Sequence, residues 1–537
     1  MISVAGCKDF LDINDNPNAP TTSSAAKLLP SVQLAVTYGV DNGAGGLSAY
    51  TSFLTQQYVV RGNLNDYQPL AADFSIANSW GNFFTNALPD IQKIIDQSTE
   101  LENWQYVGVA QILKAYSYSV MVDMWGSVPY FNAAMGAEDL YPAFDSGDKI
   151  YDDLFLLLDQ GIANVAKTSN IKPAADDLFY GGNMDRWRKF AKTLKLRLYN
   201  QVRLVKDVSG PVTQLLTEND LIGSSADDLQ MKFGTSFSPD NRNPGYSQEW
   251  QESGSNYSIN PYFYEIMKSI DTFGHKGLQF GVSDPRIPYY FFNQLKAGAK
   301  DSDAQNKCAY CPSRTNTSFL SLFSFSFNID PNEGFDQAKS RTLAGLYPLG
   351  GRYDDGKGGI ASNASTLSAG RVSGTGIAPQ RILTFYQRKY IEAELAIAGV
   401  TGGDARALLS SAIDASFAKV NEIATEASAP LIATGDVSAY RDAVLAKYDA
   451  ADATGKLEII MTQKWIANFG YAVDNFNDVR RTGFPRLHDG NTDNVAVTVR
   501  KFGYVMTLPY QITDLVTYGD TRLTQRNIYS DKVFWAK

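Results

Sequence analysis

Cysteine and histidine, the side chains that most often hold metals or attack substrates, are scarce here: Cys7, Cys308 and Cys311, with His275 and His488. Cys308-Ala309-Tyr310-Cys311 offers two thiols where a structural zinc site wants four ligands. A loop disulfide or idle thiols is the first reading of the pair, and a metal the second. Asp12, Asn14, Asn16 and Asn18 alternate as calcium-loop ligands do, yet Pro17 stands where the turn needs glycine and Ser23 where the bidentate Glu belongs. A structured polar arm fits that stretch better. The sequence has no His-Glu-x-x-His helix, no Gly-x-Ser-x-Gly elbow and no phosphate loop ending in Gly-Lys-Ser or Gly-Lys-Thr. Its 57 acidic residues guarantee carboxylate pairs of the kind glycoside hydrolysis needs without identifying one. No metal or cofactor is expected.

The formal net charge of −9 opposes a polyanionic partner, because nucleic-acid affinity comes mostly from Lys and Arg neutralising phosphates. Tyrosine is abundant, 30 residues against 7 Trp, more than a core alone needs, and Tyr serves well at contact surfaces. No stretch approaches the roughly 18 apolar residues that cross a bilayer, so membrane attachment has to be covalent or peripheral. Val4-Ala5-Gly6-Cys7 resembles a bacterial lipobox, which makes Cys7 a lipid-anchor candidate and Met1 to Gly6 the remnant of a signal peptide. The alternative is an ordinary free cysteine near a flexible end.

Positioning any such chemistry falls to helices. With 537 residues, 44% of them hydrophobic and 20% charged, the chain can bury a large core in one domain or two closely packed ones. Val109, Leu113, Tyr116, Val120 and Met124 recur at spacings of three and four, the mark of a buried helix face. Trp187, Phe190, Leu194, Leu198, Val202 and Val205 repeat it, flanked by Arg186, Arg188, Lys189, Lys192, Lys195, Arg197, Arg203 and Lys206. At this net charge the basic run reads as a solvated face paired with acids. Further helices are expected at 28–38, 48–59, 74–96 with an interruption near Pro89, and 149–165. A second block starts near Thr384: Tyr386, Tyr390, Ala393 and Ile397 share a face, Gly399 stops the helix, and Asp404 caps the next, which carries Leu409, Ile413, Phe417 and Val420. Tyr440 to Tyr448 and Leu457 to Phe469 suggest another hairpin. Trp80, Trp104, Trp125, Trp187 and Trp465 fall on these helices as core candidates. The expected fold class is mainly α, with tetratricopeptide-like pairs. Residues 1–24 hold the signal remnant and an N-terminal arm, and 25–537 form one domain, its scaffold mainly 25–206 and 384–470 and its loop-rich, ligand-binding part mainly 207–383.

Several separated motifs resemble the SusD/RagB-like family. They are Cys7 with the arm Leu11 to Asn18, Asp123-Met124-Trp125-Gly126-Ser127-Val128-Pro129-Tyr130, Met184 to Ala191 leading into Leu194 to Leu198, Gln463 to Ala467, Asp478-Val479-Arg480-Arg481-Thr482-Gly483-Phe484-Pro485, and Leu508-Pro509-Tyr510. The Asn-x-x-Pro-Asn arm is similar to that of one branch of the family. The resemblance implies an outward-facing outer-membrane lipoprotein, not an enzyme, that binds oligosaccharides, or peptides in some members. It also implies a partner, a SusC-like TonB-dependent transporter that imports what is captured.

A glycan site wants aromatic platforms for C–H faces beside amide, carboxylate or guanidinium groups for hydroxyls. Residues 236–261 contain that mixture: Tyr246, Trp250 and Tyr257 to stack, with Asn241, Arg242, Gln248 and Glu249 to reach hydroxyls. Arg61, Asn63, Asn65, Asp66 and Tyr67 form a second polar and aromatic loop. The ligand-binding set expected from sequence is Arg61, Asp66, Tyr67, Asn241, Tyr246, Trp250 and Tyr257. Some of these aromatics could equally plug the core beneath their loops.

Overall fold

The computed structural model describes residues 23–43, 45–60, 74–133, 139, 141–251, 257–271, 277–296, 318–321, 341–359, 374–489, 503–519 and 523–537. Cys7, the Asp12 to Asn18 arm, Arg61, Asp66, Tyr67, His275 and the Cys308 to Cys311 pair lie outside them.

The fold is mainly helical, as expected. Its N-terminal half comprises α1 (Ala25–Val40), α2 (Leu47–Leu54), α3 (Phe74–Trp80), α4 (Leu88–Glu100), α5 (Trp104–Trp125), α6 (Gly147–Val165), α7 (Met184–Val202) and α8 (Ser209–Glu218). Helix α5 is the centre of this half: every residue except Trp104, Gln105 and Lys114 is buried, because α4, α6 and α7 surround it. Gly108 and Gly161 let α5 and α6 touch. A Cβ on Gly108 would come 2.7 Å from Val165 and 2.8 Å from the Gly161 carbonyl, so no larger residue fits without parting the helices.

Short helices α9 (Pro244–Gln251), α10 (Pro261–Lys268), α11 (Ile287–Tyr290) and α12 (Leu346–Leu349) stud the middle of the chain. The C-terminal half has α13 (Phe385–Ile397), α14 (Ala405–Glu426), α15 (Thr434–Ala450), α16 (Ala453–Ala467), α17 (Val473–Thr482) and α18 (Ile512–Tyr518). Helices α13 and α14 form the expected hairpin: Gly399 takes φ 71° after α13, and Asp404 accepts from the amides of Arg406 and Ala407 to start α14. The strands are β1 (Tyr58–Val60), β2 (Val128–Pro129), β3 (Phe144–Asp145), β4 (Leu229–Met231), β5 (Tyr257–Ile259), β6 (Phe291–Phe292), β7 (Leu343–Ala344) and β8 (Gln380–Leu383). Among the described residues they pair only as antiparallel couples, β1 with β5, β2 with β3, β4 with β8 and β6 with β7.

Two local expectations change. The helix expected over 48–59 stops at Leu54; Gln56 enters the left-handed region at φ 59° and β1 begins at Tyr58. Its neighbours hold that break, since Gln56 Nε2 donates to the His488 carbonyl and Gln57 Nε2 to that of Trp465, both at 2.7 Å. Between α3 and α4 the chain forms a π-helical turn, Gly81–Ala87. This is the interruption expected near Pro89, whose ring excludes the α-helical carbonyl four residues back. Trp80, Trp125, Trp187 and Trp465 are core. Trp104 is only half-buried, and Lys167 covers its face at 4.3 Å.

Most of the basic face of α7 is paired as expected: Arg188 with Asp185 and Asp220, Lys189 with Asp227, Lys192 with Glu218, Lys195 with Asp159, and Lys206 with Asp152. Arg197 and Arg203 are exceptions, because they are buried ion pairs, 3.4 Å from Asp474 and 2.8 Å from Glu394. Glu394 also meets Arg481 at 2.7 Å, while Lys464 reaches Asp478 at 2.9 Å. Four segments, α13, α16, α17 and the end of α7, thus close on one buried charge cluster. Beside it Asp123 accepts from the Tyr151 hydroxyl at 2.6 Å and from Asn477 and Trp535 at 2.9 Å, and Arg480 donates to its backbone carbonyl at 2.7 Å. The Asp478 to Arg481 motif is therefore a clasp inside the scaffold.

Candidate ligand-binding cleft

Where α1 ends, Gly43 and Gly45, the α3 to π-helical segment and the start of α9 converge on a cleft of about 460 Å³. Tyr38, Asp41, Asn78, Asn82, Asn86 and Pro244 line it. Tyr38 is 40% exposed, large enough to offer a ring face. Asn78, Asn82 and Asn86 recur every fourth residue, giving a row of amides along one wall, and Asn86 donates to Asn82 at 3.2 Å. Ser79 anchors the row's helix by donating to the Gly45 carbonyl at 3.0 Å.

Asp41 ends α1 and is almost wholly buried, reaching the cleft only with its edge. Burial pushes its carboxyl up to about 7, against the Gly43 amide that donates to Oδ1 at 2.7 Å. Gly46 must lack a side chain, for a Cβ there would lie 2.3 Å from Asp41 Oδ1. Burial, then the Asp41 and Asp240 charges, raise the Tyr38 phenol above its ordinary range.

The adjoining loop is tied together by its own side chains. Arg242 holds Asp240 through Nη2 at 2.6 Å and Nε at 2.8 Å, and keeps that carboxyl near about 2. Its guanidinium lies 5.0 Å over Phe237, which is 47% exposed. Asn241 is exposed, and its Oδ1 accepts from the Ser236 amide at 2.9 Å, closing the turn.

Trp250 and Tyr246 are corrections. The composition of 236–261 predicts a loop, whereas Pro244–Gln251 is helical. Asn243 Oδ1 accepts from the Gly245 amide at 2.9 Å, and Pro244 follows with its φ already helical. Asn-Pro was the start signal that could have revealed it. The helix turns both rings inward, stacked with centroids 6.0 Å apart. Trp250 donates to the Ala344 carbonyl at 2.9 Å and Tyr246 to that of Gly374 at 2.9 Å, and neither is exposed. They are core plugs beneath the loop. Glu249 is likewise consumed by Arg341, at 3.1 Å. Tyr257 sits in β5 opposite Val60, while Arg61, Asp66 and Tyr67 lie outside the described residues. Missed from sequence were Tyr38, Asp41 and the asparagine row. The fourfold spacing of Asn78, Asn82 and Asn86 was the available signal.

Taken together, the cleft offers an aromatic face, three amides and a carboxyl able to donate or accept near neutral pH, a set suited to polyhydroxylated ligands. Comparison with known proteins bears on this. The family model described as starch-binding and associating with the outer membrane, of SusD-like type, matches residues 17–504. No curated protein matches. Among solved structures, a SusD/RagB family protein from Bacteroides thetaiotaomicron is 21% identical, with TM-score 0.67 over 96% of this chain and 99% of that one. A SusD homolog from Parabacteroides distasonis is 20% identical, with TM-score 0.70 over 96% and 98%. A chitin-binding SusD homolog from Flavobacterium johnsoniae is 18% identical, with TM-score 0.64 over 95% and 97%. At such identities these structures share the fold.

Proposed function

Since the chain belongs to the SusD-like family, whose description is starch-binding and associating with the outer membrane, we propose that it captures oligosaccharides without cleaving them. It hands them to a SusC-like TonB-dependent transporter from the outer face of the outer membrane, held there by a lipid on Cys7. The observation that carries this reading is the cleft itself: exposed Tyr38 beside the row of Asn78, Asn82 and Asn86. No helix among the described residues is long and apolar enough to cross a membrane, which suits a covalent tether. With Met1 to Gly6 removed as the signal remnant, the rest of residues 1–24 serves as that tether, and 25–537 act as one domain.

A hydrolase is the second reading, favoured by one observation: Asp41 is raised and Asp240 lowered, the split of acidities that pairs an acid with a base. Asp240, however, is already bonded to Arg242 and to Ser247 at 3.1 Å and does not line the cleft, while Asp41 reaches it only with an edge, so the two form no opposed pair across a glycosidic bond.

Calorimetry with maltoheptaose and chitohexaose, followed by chromatography of the sugars, tests the proposal. Saturable binding with the oligosaccharide recovered intact is the expected result. New reducing ends would establish cleavage, and binding of short peptides with none of either sugar would make the cargo peptidic.

A further inference from the structure

Two more depressions adjoin across Tyr353. The larger, about 490 Å³, runs between Lys268 and Asp436, and the smaller, about 390 Å³, between Arg352 and Ser428. Tyr353 lines both. So does the turn joining α14 to α15, whose residues 427–430 wall the smaller and 431–433 the larger.

The aromatic centre is fixed before anything binds. Tyr353, partly exposed, packs edge-on against Tyr289 with centroids 4.9 Å apart. Tyr289 in turn is buried and donates its hydroxyl to the Pro430 carbonyl at 2.5 Å. Arg352 is held too, 4.6 Å over Phe292 and donating to the Gly359 carbonyl at 3.0 Å. Side chains already immobilised lose little freedom on binding.

We propose that this furrow is a second oligosaccharide site, centred on Tyr353 and taking a neutral glycan of several units; the inference rests on the glycan-binding reading above. Its rim carries both signs of charge, Lys268 and Arg352 against Asp436, so it selects for no net ligand charge. Helix ends, turns and loops build its walls, and no strand of the described ladders lines it. An extended peptide would want such a backbone edge to pair with; a sugar face needs only the phenol and its polar flanks. The furrow is also separate from the first cleft. The carbonyl of Gly374, a residue of the smaller depression, accepts from the Tyr246 hydroxyl at 2.9 Å, and a Cβ on Gly376 would meet Arg242 at 2.7 Å. The segment 374–376 thus packs on Tyr246 and Arg242 from the furrow's side, and the two sites share no lining residue.

Amide hydrogen exchange of the full chain, with and without chitohexaose or maltoheptaose, tests the assignment. Sugar should slow exchange at least severalfold in residues 351–353 and 427–436, persistently in Tyr38→Ala and no longer in Tyr353→Ala, whose melting temperature is checked alongside. If Tyr353→Ala unfolds, the exposed rim variant Asp436→Ala carries the same comparison. Protection confined to residues 38–43 and 78–86 would overturn the second site while leaving the proposed function standing. Absence of protection and of binding by either sugar would overturn both. Protection of the furrow by short peptides instead of sugars would also overturn it.

Discussion

Arg481 Nη2 lies 2.7 Å from Glu394 Oε1 with both side chains sealed from solvent, 87 residues apart in sequence. Arg203 and Lys464 share the same carboxylate environment. Removing one partner of a buried pair leaves uncompensated charge, which costs about 3–5 kcal/mol. Glu394→Gln should therefore lower the unfolding free energy by that amount, read as a lower urea midpoint at an unchanged slope. A change under about 1 kcal/mol would show that water already reaches the cluster.

Tyr38→Ala and Asn82→Ala each weaken sugar binding, by roughly tenfold for loss of a stacking face and somewhat less for one amide. Melting temperatures should barely move, because both side chains border open space. Calorimetry paired with thermal scans decides this, and undiminished affinity in both variants would displace the site from this cleft.

The acidity of Asp41 gives affinity a pH profile. Below about 7 the carboxyl is protonated and donates; above, it is ionised and only accepts. Affinity should change across roughly one pH unit on either side of about 7, and Asp41→Asn should flatten it. The stability sign follows as well: a folded-state acidity above the unfolded 3.8 favours folding at low pH, a contribution lost as pH rises through about 7. A profile equally steep in Asp41→Asn would assign the titration elsewhere.

Trp250→Ala should collapse the loop platform, costing about 3–5 kcal/mol for a buried indole, with sugar affinity per folded molecule unchanged. Loss of affinity at full stability would mean the indole swings outward to meet ligand.

Cys7→Ala in the precursor should release the protein from membranes of cells lacking the transporter, judged by fractionation. Continued sedimentation with the membranes would refute the lipid tether.

Much of the scaffold was legible because its periodicity is local: Val109 to Met124 spells one helix face, and Gly399 with Asp404 spells a hairpin. The cleft was not, because it depends on distant meetings. Nothing near Tyr38 announces Asn82 or Pro244, and an aromatic-rich loop reads alike whether Trp250 faces sugar or core. The Asn243-Pro244 start decides that question, since a helix there turns Tyr246 and Trp250 to one inward side. The basic helix misled at Arg197 and Arg203 for the same reason, their acids Asp474 and Glu394 lying far along the chain.

The π-helical turn at Gly81–Ala87 sets the alignment of the cleft wall. In a regular α-helix, residues four apart drift about 40° around the axis at each step, so three successive amides would fan away from one line. A widened turn reverses part of that drift and brings Asn86 back toward the line of Asn78 and Asn82. Shortening the segment by a single residue would restore ordinary helical winding and place Asn86 three residues after Asn82, about 60° off its line. The irregularity works as a one-residue spacer: a relative without it would keep the scaffold and face a different set of groups toward its cargo.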